Sequence, residues 1–253
     1  MTAIPLIDTN AWVDYPLDSY SFDGGDPRER LRALATLGIH ECWVGSFAAL
    51  FADDPTPAND ALLTACRRVS RPRCLPAPTV NPLLPSFPAE LARYAASGVR
   101  VIRIYPPAHG YRINEPAFDR LVHEAARRGI LVQVVCSIED PRTQPPTVRW
   151  PALEEELTAL PGTTSILLLN VPGRQLLRRL AAAKRVSVDI AMPEGTGVVE
   201  RLIAELGRER VLFGTYTPVF YSASSVLKLI EAALPEDTLR CVASRNARRL
   251  LTR

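Results

Sequence analysis

The sequence predicts an α/β fold, a single-domain (β/α)8 or TIM barrel spanning residues 1–253. Three observations carry that expectation. Short apolar runs alternate with helical patterns from one end of the chain to the other. Several runs are near-continuous Val, Ile and Leu, as in parallel strands covered on both faces. The length, 253 residues, suits a barrel of eight strand–helix units. The competing arrangement, an open doubly wound sheet, would place a Gly-rich turn after the first strand, and none is present.

The strands are expected at Ile4–Thr9, Glu41–Gly45, Cys74–Val80, Val99–Tyr105, Leu131–Cys136, Ser165–Val171, Val186–Ile190 and Arg210–Phe213. Asp26-Pro27 opens the first helix, to about Leu37, with Asp as the cap and Pro at the first turn. Further helices are expected at Thr56–Arg68, Ala89–Ala96, Pro116–Arg128, Pro151–Leu160, Arg174–Ala183, Gly197–Leu206, Ser222–Ala233 and Asp237–Leu251. The Pro116 helix carries the clearest signal: Phe118, Leu121, Val122 and Ala125 share one face and Gly129 ends it. No linker, low-complexity tract or charge run divides the chain.

Composition excludes several classes. A formal net charge of +3, with arginines scattered over helices, argues against a nucleic-acid partner. No run reaches the length of a membrane span, and the N-terminus lacks the charged and apolar regions of a signal peptide. Five cysteines without a CxxC spacing give neither a disulfide framework nor a zinc knuckle. Reduced cysteines and a cytoplasmic location are expected.

In a barrel, a site forms where the strands end. Those ends offer Asp8, Asn10 and Trp12 on the first strand, Ser46 on the second and Asn81 on the third. The fourth offers Arg103 and Tyr105, with His109 in the loop beyond; the fifth offers Gln133, Cys136, Ser137 and Glu139. Asn170, Asp189, Tyr216 and Thr217 complete the set.

Three segments carry a family resemblance: Ile7-Asp8-Thr9-Asn10-Ala11-Trp12, Val211-Leu212-Phe213-Gly214-Thr215-Tyr216-Thr217-Pro218, and Asn246-Ala247-Arg248-Arg249-Leu250-Leu251. They resemble the first strand, last strand and closing helix of the amidohydrolase-related TIM-barrel metal hydrolases. Gly98–Pro106 and Phe118–Val135 extend the likeness through the fourth and fifth strands. The resemblance implies a cation held by two His on the first strand, two more on later strands and an Asp on the last. The matching positions here are Asn10, Trp12, Val135 (or Cys136 if the register slips by one), Asn170 and Tyr216. None is an imidazole or a carboxylate, the ligands such ions prefer. The carboxylated lysine of binuclear variants has no counterpart, since Lys184 precedes the seventh strand and Lys228 lies in a helix. No metal and no other cofactor is therefore expected.

The same residues bear on other chemistries. His40 precedes a strand and His123 lies mid-helix; His109 alone is on a suitable loop, read first as a solvated histidine and second as a general base paired with Glu139 or Asp140. Cys136 is a candidate nucleophile, with a buried apolar role ahead of it. By strand alternation Arg103 points inward with Tyr105, Gln133 and Asp189. A buried guanidinium needs partners, so Arg103 either joins a core network with Asp8 or Asp189 or recognises a substrate anion. Pro193–Gly197 opens a helix where barrels often hold phosphate, but Glu194 opposes an anion. Trp12 and Tyr216 add bulk at the old metal position, closing the pocket or giving an aromatic ligand a flat surface.

The expectation is an amidohydrolase-related protein without its metal site, a pseudoenzyme or small-molecule binding protein. One alternative is a metal-independent hydrolase or lyase acting on a small carboxylate-bearing or cyclic substrate through Arg103, Tyr216, Asp189 and His109. Another is a non-catalytic subunit of an active amidohydrolase. A small molecule is the expected partner, and the sequence is compatible with a homo-oligomer.

Overall fold

The computed structural model describes residues 4–15, 26–138, 155–156, 165–172 and 178–252. Eight strands run in chain order: β1 (Leu6–Trp12), β2 (Ile39–Gly45), β3 (Arg73–Pro76), β4 (Val101–Ile104), β5 (Leu131–Val135), β6 (Ile166–Leu169), β7 (Val186–Asp189) and β8 (Val211–Leu212). The α-helices with a full description are α1 (Pro27–Ala33), α2 (Phe47–Phe51), α3 (Thr56–Arg67), α4 (Phe87–Ala96), α5 (Pro116–Arg127), α6 (Val198–Leu206), α7 (Ser222–Glu231), α8 (Glu236–Arg240) and α9 (Asn246–Leu251). The helix expected over Pro151–Leu160 lies outside the described residues except at 155–156, and that over Arg174–Ala183 except at its last residues. Among the described residues no helix is long and apolar enough to cross a membrane.

Every strand pair is parallel, but the ladder does not close into the expected ring. It forms a three-stranded sheet, β1-β2-β3, and a five-stranded sheet, β4-β5-β6-β7-β8. Individual backbone hydrogen bonds bridge the two seams. At one, Thr9 N donates to Phe213 O (3.0 Å), Tyr216 N to Asn10 O (2.8 Å) and Trp12 N to Thr217 O (2.9 Å). At the other, Arg103 N donates to Pro78 O (3.1 Å). The reasons are local. Pro76 and Pro78 have no N–H to give, which stops β3 well short of the expected Val80. Tyr216, at φ +59°, turns the chain out of the extended conformation beyond β8.

Side chains alternate between two layers, as the pleat requires. Ile102 and Ile104, Val132 and Val134, Ile166 and Leu168, Val186 and Val188 face the helices. Val101 and Tyr105, Leu131 and Val135, Leu167 and Leu169, and Leu212 face the interior. Helix α5 shows how the outer layer is held. Pro116 fits the first turn, Phe118, Leu121, Val122 and Ala125 are buried, and Gly129 at φ +64° ends the helix. Burying the three larger of those side chains contributes about 1.5–3 kcal/mol each.

Further departures from the sequence expectation lie near the two ends of the chain. β1 runs on through Asn10 to Trp12, with a register shift between Asp8 and Ala11. The expected helix Asp237–Leu251 is α8, a π-helical turn over Cys241–Arg245, and α9. The wide turn brings Asn246 Nδ2 to the carbonyls of Arg208 (2.7 Å) and Val211 (2.8 Å), anchoring the chain beneath β8.

Candidate functional site

Asn10 stands at the centre of a buried polar network. Its Nδ2 donates to Asn170 Oδ1 (2.8 Å) and to Asp189 Oδ2 (2.7 Å), and its Oδ1 accepts from Trp12 Nε1 (2.8 Å). Asn170, at φ +55°, donates its backbone N–H to Asp189 Oδ1 (3.0 Å) and its Nδ2 to Ser137 O (3.0 Å). Asn tolerates that left-handed conformation better than most residues. Burial pushes the Asp189 carboxyl up to about 6, the Asn10 and Asn170 hydrogen bonds opposing it. Gly214 packs directly against this group; a Cβ there would lie 2.6 Å from Asp189 Oδ2 and 3.1 Å from Asn10 Cβ.

Asp8 is fully buried beside it and fully partnered. Oδ1 accepts from the backbone of Asn10 and of Thr215 (3.0 Å each), and Oδ2 from the Thr215 hydroxyl (2.6 Å). Burial raises its proton affinity and those three bonds oppose the rise. Asp8 thus fixes the start of the β8 exit to β1.

Arg103 does point into the barrel, as alternation requires, but it pairs with neither Asp8 nor Asp189. Nε donates to Gln133 Oε1 (2.8 Å), Nη1 to Ala11 O (2.7 Å), and Nη2 to Thr9 O (3.1 Å) and Trp43 O (3.0 Å). Gln133 Nε2 adds a bond to Thr9 O (2.8 Å). One face of the guanidinium lies 4.4 Å from the Trp12 ring centre. Burial pulls its pKa down to about 9, and the charges of Asp8 and Asp189 pull it back up. The shift of register in β1 turns the Thr9 and Ala11 carbonyls toward the guanidinium, so backbone dipoles take the place of a carboxylate. A Cβ at Gly45 would come within 2.7 Å of Nη1, which is why the facing position carries no side chain. With these partners Arg103 ties β4 and β5 to the backbone of β1 and β2.

Above the network sits a set of aromatic rings. Trp12 stacks on Phe47 at 3.8 Å with planes 8° apart, and Tyr216 meets Trp12, Phe47 and Phe220 edge-on at 6.4, 6.2 and 5.2 Å. Trp12 and Tyr216 are buried. The Tyr216 hydroxyl donates to the Ile138 carbonyl. Phe47 is placed by α2, an element the sequence reading missed. Ser46 caps that helix through Ala49 N (3.2 Å), and Asp14 accepts from Phe47 N (2.6 Å), Ala48 N (3.1 Å) and Ser46 Oγ (2.7 Å). Ser46 before an apolar run was the available signal; nothing in the sequence marks Asp14.

The remaining candidates lie apart. Cys136 is buried in the outer layer and its thiol is pushed far up by burial, so Val135 holds the inward position on the fifth strand. Tyr105 lines the interior and meets Phe51 edge-on at 6.5 Å. His109 is bonded through Nε2 to Ala52 O (3.1 Å), is buried, and has its pKa lowered by that burial. It is therefore not a solvated histidine, and its expected partners Glu139 and Asp140 lie outside the described residues. His40 and His123 are exposed. Among the described residues no three His, Cys, Asp or Glu gather as a cation site would need. Tyr105, Val135, Gln133 and the central network share one interior, whereas His109 and Cys136 do not join it.

A family model described as amidohydrolase matches residues 44–253. No curated protein matches the chain at the sequence level. Among solved structures, a 2,6-dihydroxybenzoate decarboxylase from Rhizobium superposes with a TM-score of 0.73 at 15% identity, covering 100% of this chain and 99% of that one. A 5-carboxyvanillate decarboxylase from Sphingomonas paucimobilis gives 0.72 at 16%, covering 99% of each chain. One from Novosphingobium aromaticivorans, complexed with manganese and 4-hydroxy-3-methoxy-5-nitrobenzoic acid, gives 0.67 at 16%, covering 99% and 97%. At such identities these likenesses establish the barrel-type fold and nothing finer.

Proposed function

The chain belongs to the amidohydrolase family, and from that premise we propose that it is a member working without the family's cation, keeping the barrel to recognise a small molecule rather than to hydrolyse one. The observation that carries the reading is the bonding of Asn10. Both directions of its amide nitrogen and its oxygen are spent on Asn170, Asp189 and the Trp12 indole. The residues at the matched positions do not fit a divalent ion. An amide that presents N–H groups inward repels a cation, an indole and a valine cannot coordinate one, and the Tyr216 hydroxyl donates to a carbonyl. The two carboxylates nearest those positions are already occupied: Asp189 accepts from Asn10 Nδ2 and the Asn170 backbone N–H, and Asp8 from Asn10 N and from the backbone N–H and hydroxyl of Thr215. Trp12, Phe47 and Tyr216 are buried against one another, and Phe220 is partly exposed, so Phe220 is the ring of this group that would meet a flat apolar ligand.

A second reading is a metal-independent lyase or hydrolase. Asp189 favours it, because a carboxyl held near about 6 can both keep and release a proton near neutrality. One experiment separates the readings. Protein produced in zinc- and manganese-supplemented medium is analysed for metal, screened by thermal shift against aromatic acids, lactones and amides, and assayed for turnover of each binder. Far less than one equivalent of metal, with binding and no turnover, is the expected result. Turnover without metal that disappears in Asp189→Asn selects the second reading. A stoichiometric, tightly held cation overturns both.

A further inference from the structure

Outside the barrel interior, two cysteines face each other across β2 and β3. Cys42 and Cys74 are register partners on these parallel strands, and their Sγ atoms lie 3.5 Å apart. Directly opposed residues on neighbouring strands fall in the Cα range that a disulfide spans, and the bond requires the sulfurs to close to about 2.05 Å. We propose that Cys42 and Cys74 form a reversible dithiol–disulfide couple, with Cys74 the thiol attacked by a hydroperoxide and Cys42 the one that resolves it.

The two sulfurs are unlike in the way this division of labour needs. Cys42 is buried, whereas Cys74 is partly exposed. Cys74 lines a surface cleft of about 150 Å³ together with Arg67, Ser97 and Gly98. A small peroxide can therefore reach one sulfur and not the other. The hydrogen bond between the pair favours the thiolate on Cys74 and holds the proton on Cys42; the Pro72 carbonyl, 3.5 Å from Cys74 Sγ, opposes a full charge there. Cys66 lines the same cleft, but burial pushes its thiol far up, which keeps it protonated and unreactive.

The chemistry balances. The Cys74 thiolate attacks the distal peroxide oxygen, the O–O bond breaks, and the departing alkoxide takes the proton to leave an alcohol (water, when hydrogen peroxide is the oxidant) and a Cys74 sulfenic acid. Cys42 sulfur then attacks the Cys74 sulfur, the S–O bond breaks, and hydroxide takes the Cys42 proton to leave as water. Two thiols and one peroxide become one disulfide, one alcohol and one water. A dithiol reductant reverses the change by exchange.

The test treats the full chain with stoichiometric hydrogen peroxide, measures intact mass and maps peptides. The expected product has lost two hydrogens, carries one Cys42–Cys74 cross-link, and returns to the starting mass with dithiothreitol. In Cys42→Ser a 1,3-dione probe for sulfenic acid is expected to label Cys74, and in Cys74→Ser it is expected to leave Cys42 unlabelled. A cross-link through Cys66, an intermolecular disulfide, or first labelling at Cys241 overturns the proposal. So does a wild-type protein that keeps its mass at peroxide levels that label Cys74 in the serine variant. The wild-type measurement stands even if a variant folds poorly.

Discussion

Asp189→Asn tests the electrostatics of the barrel interior most directly. The Asp189 carboxyl is fully buried and titrates at about 6 against an ordinary 3.8. At about 1.4 kcal/mol for each tenfold change in proton affinity, that interval corresponds to about 3 kcal/mol. The sign follows from where the proton sits. Below the ordinary value both folded and unfolded chains carry it, and Asp189 adds no penalty. As the pH rises toward 6 the folded protein keeps a proton that the unfolded chain gives up, so this contribution to stability is progressively lost. Above about 6 the folded carboxylate is ionised and the full penalty stands. Asparagine does not titrate. Its amide nitrogen meets a donor, either Asn10 Nδ2 or the Asn170 backbone N–H, so the variant loses about 1–3 kcal/mol at every pH. Urea titrations at about pH 4 and about pH 8 should therefore show the variant gaining about 2.5 kcal/mol relative to wild type between the two, with m unchanged. Parallel stability profiles for the two proteins would refute the argument.

Two further outcomes follow from the same network. Asn10→Ala removes three hydrogen bonds and strands the Trp12 indole N–H and the Asn170 carbonyl oxygen; a loss of about 3–5 kcal/mol by chemical denaturation is expected, and a change under about 1 kcal/mol would mean that the network is dispensable. Gly214→Ala drives a Cβ against Asp189 Oδ2 and Asn10 Cβ; overpacking at a site with no slack should lower stability by more than about 2 kcal/mol, and a lower melting temperature in a thermal scan checks it.

The fold was legible because strand identity is written in contiguous apolar runs. All eight strands begin within two residues of where the apolar runs placed them, although β8 is cut short to Val211–Leu212. What failed was closure. Proline at 76 and 78 reads as an interruption in sequence, yet the cost of its missing N–H falls on the neighbouring strand, which pattern reading does not register. The inward direction of Arg103 followed from parity alone. Its partners did not, because carbonyls of Thr9, Ala11 and Trp43 have no signature in the sequence. Asn10, Asn170 and Asp189 were each named singly from strand ends. That they share hydrogen bonds depends on the positions of three separate strands, set by the whole barrel. Phe47 and Asp14 were missed because a five-residue helix is too short to show a period.

Arg103 belongs to the five-stranded sheet, and three of the carbonyls it grips belong to the other. It rivets the seam that proline leaves weakly stitched. Prising the two sheets apart would strand a cation in a dry interior beside carbonyls with nothing to greet them, a state far costlier than letting both halves melt at once. Alongside the scattered backbone bonds at the seams and the Asn10 network, one long side chain reaching across thus helps hold the two sheets together where a continuous ladder would ordinarily serve.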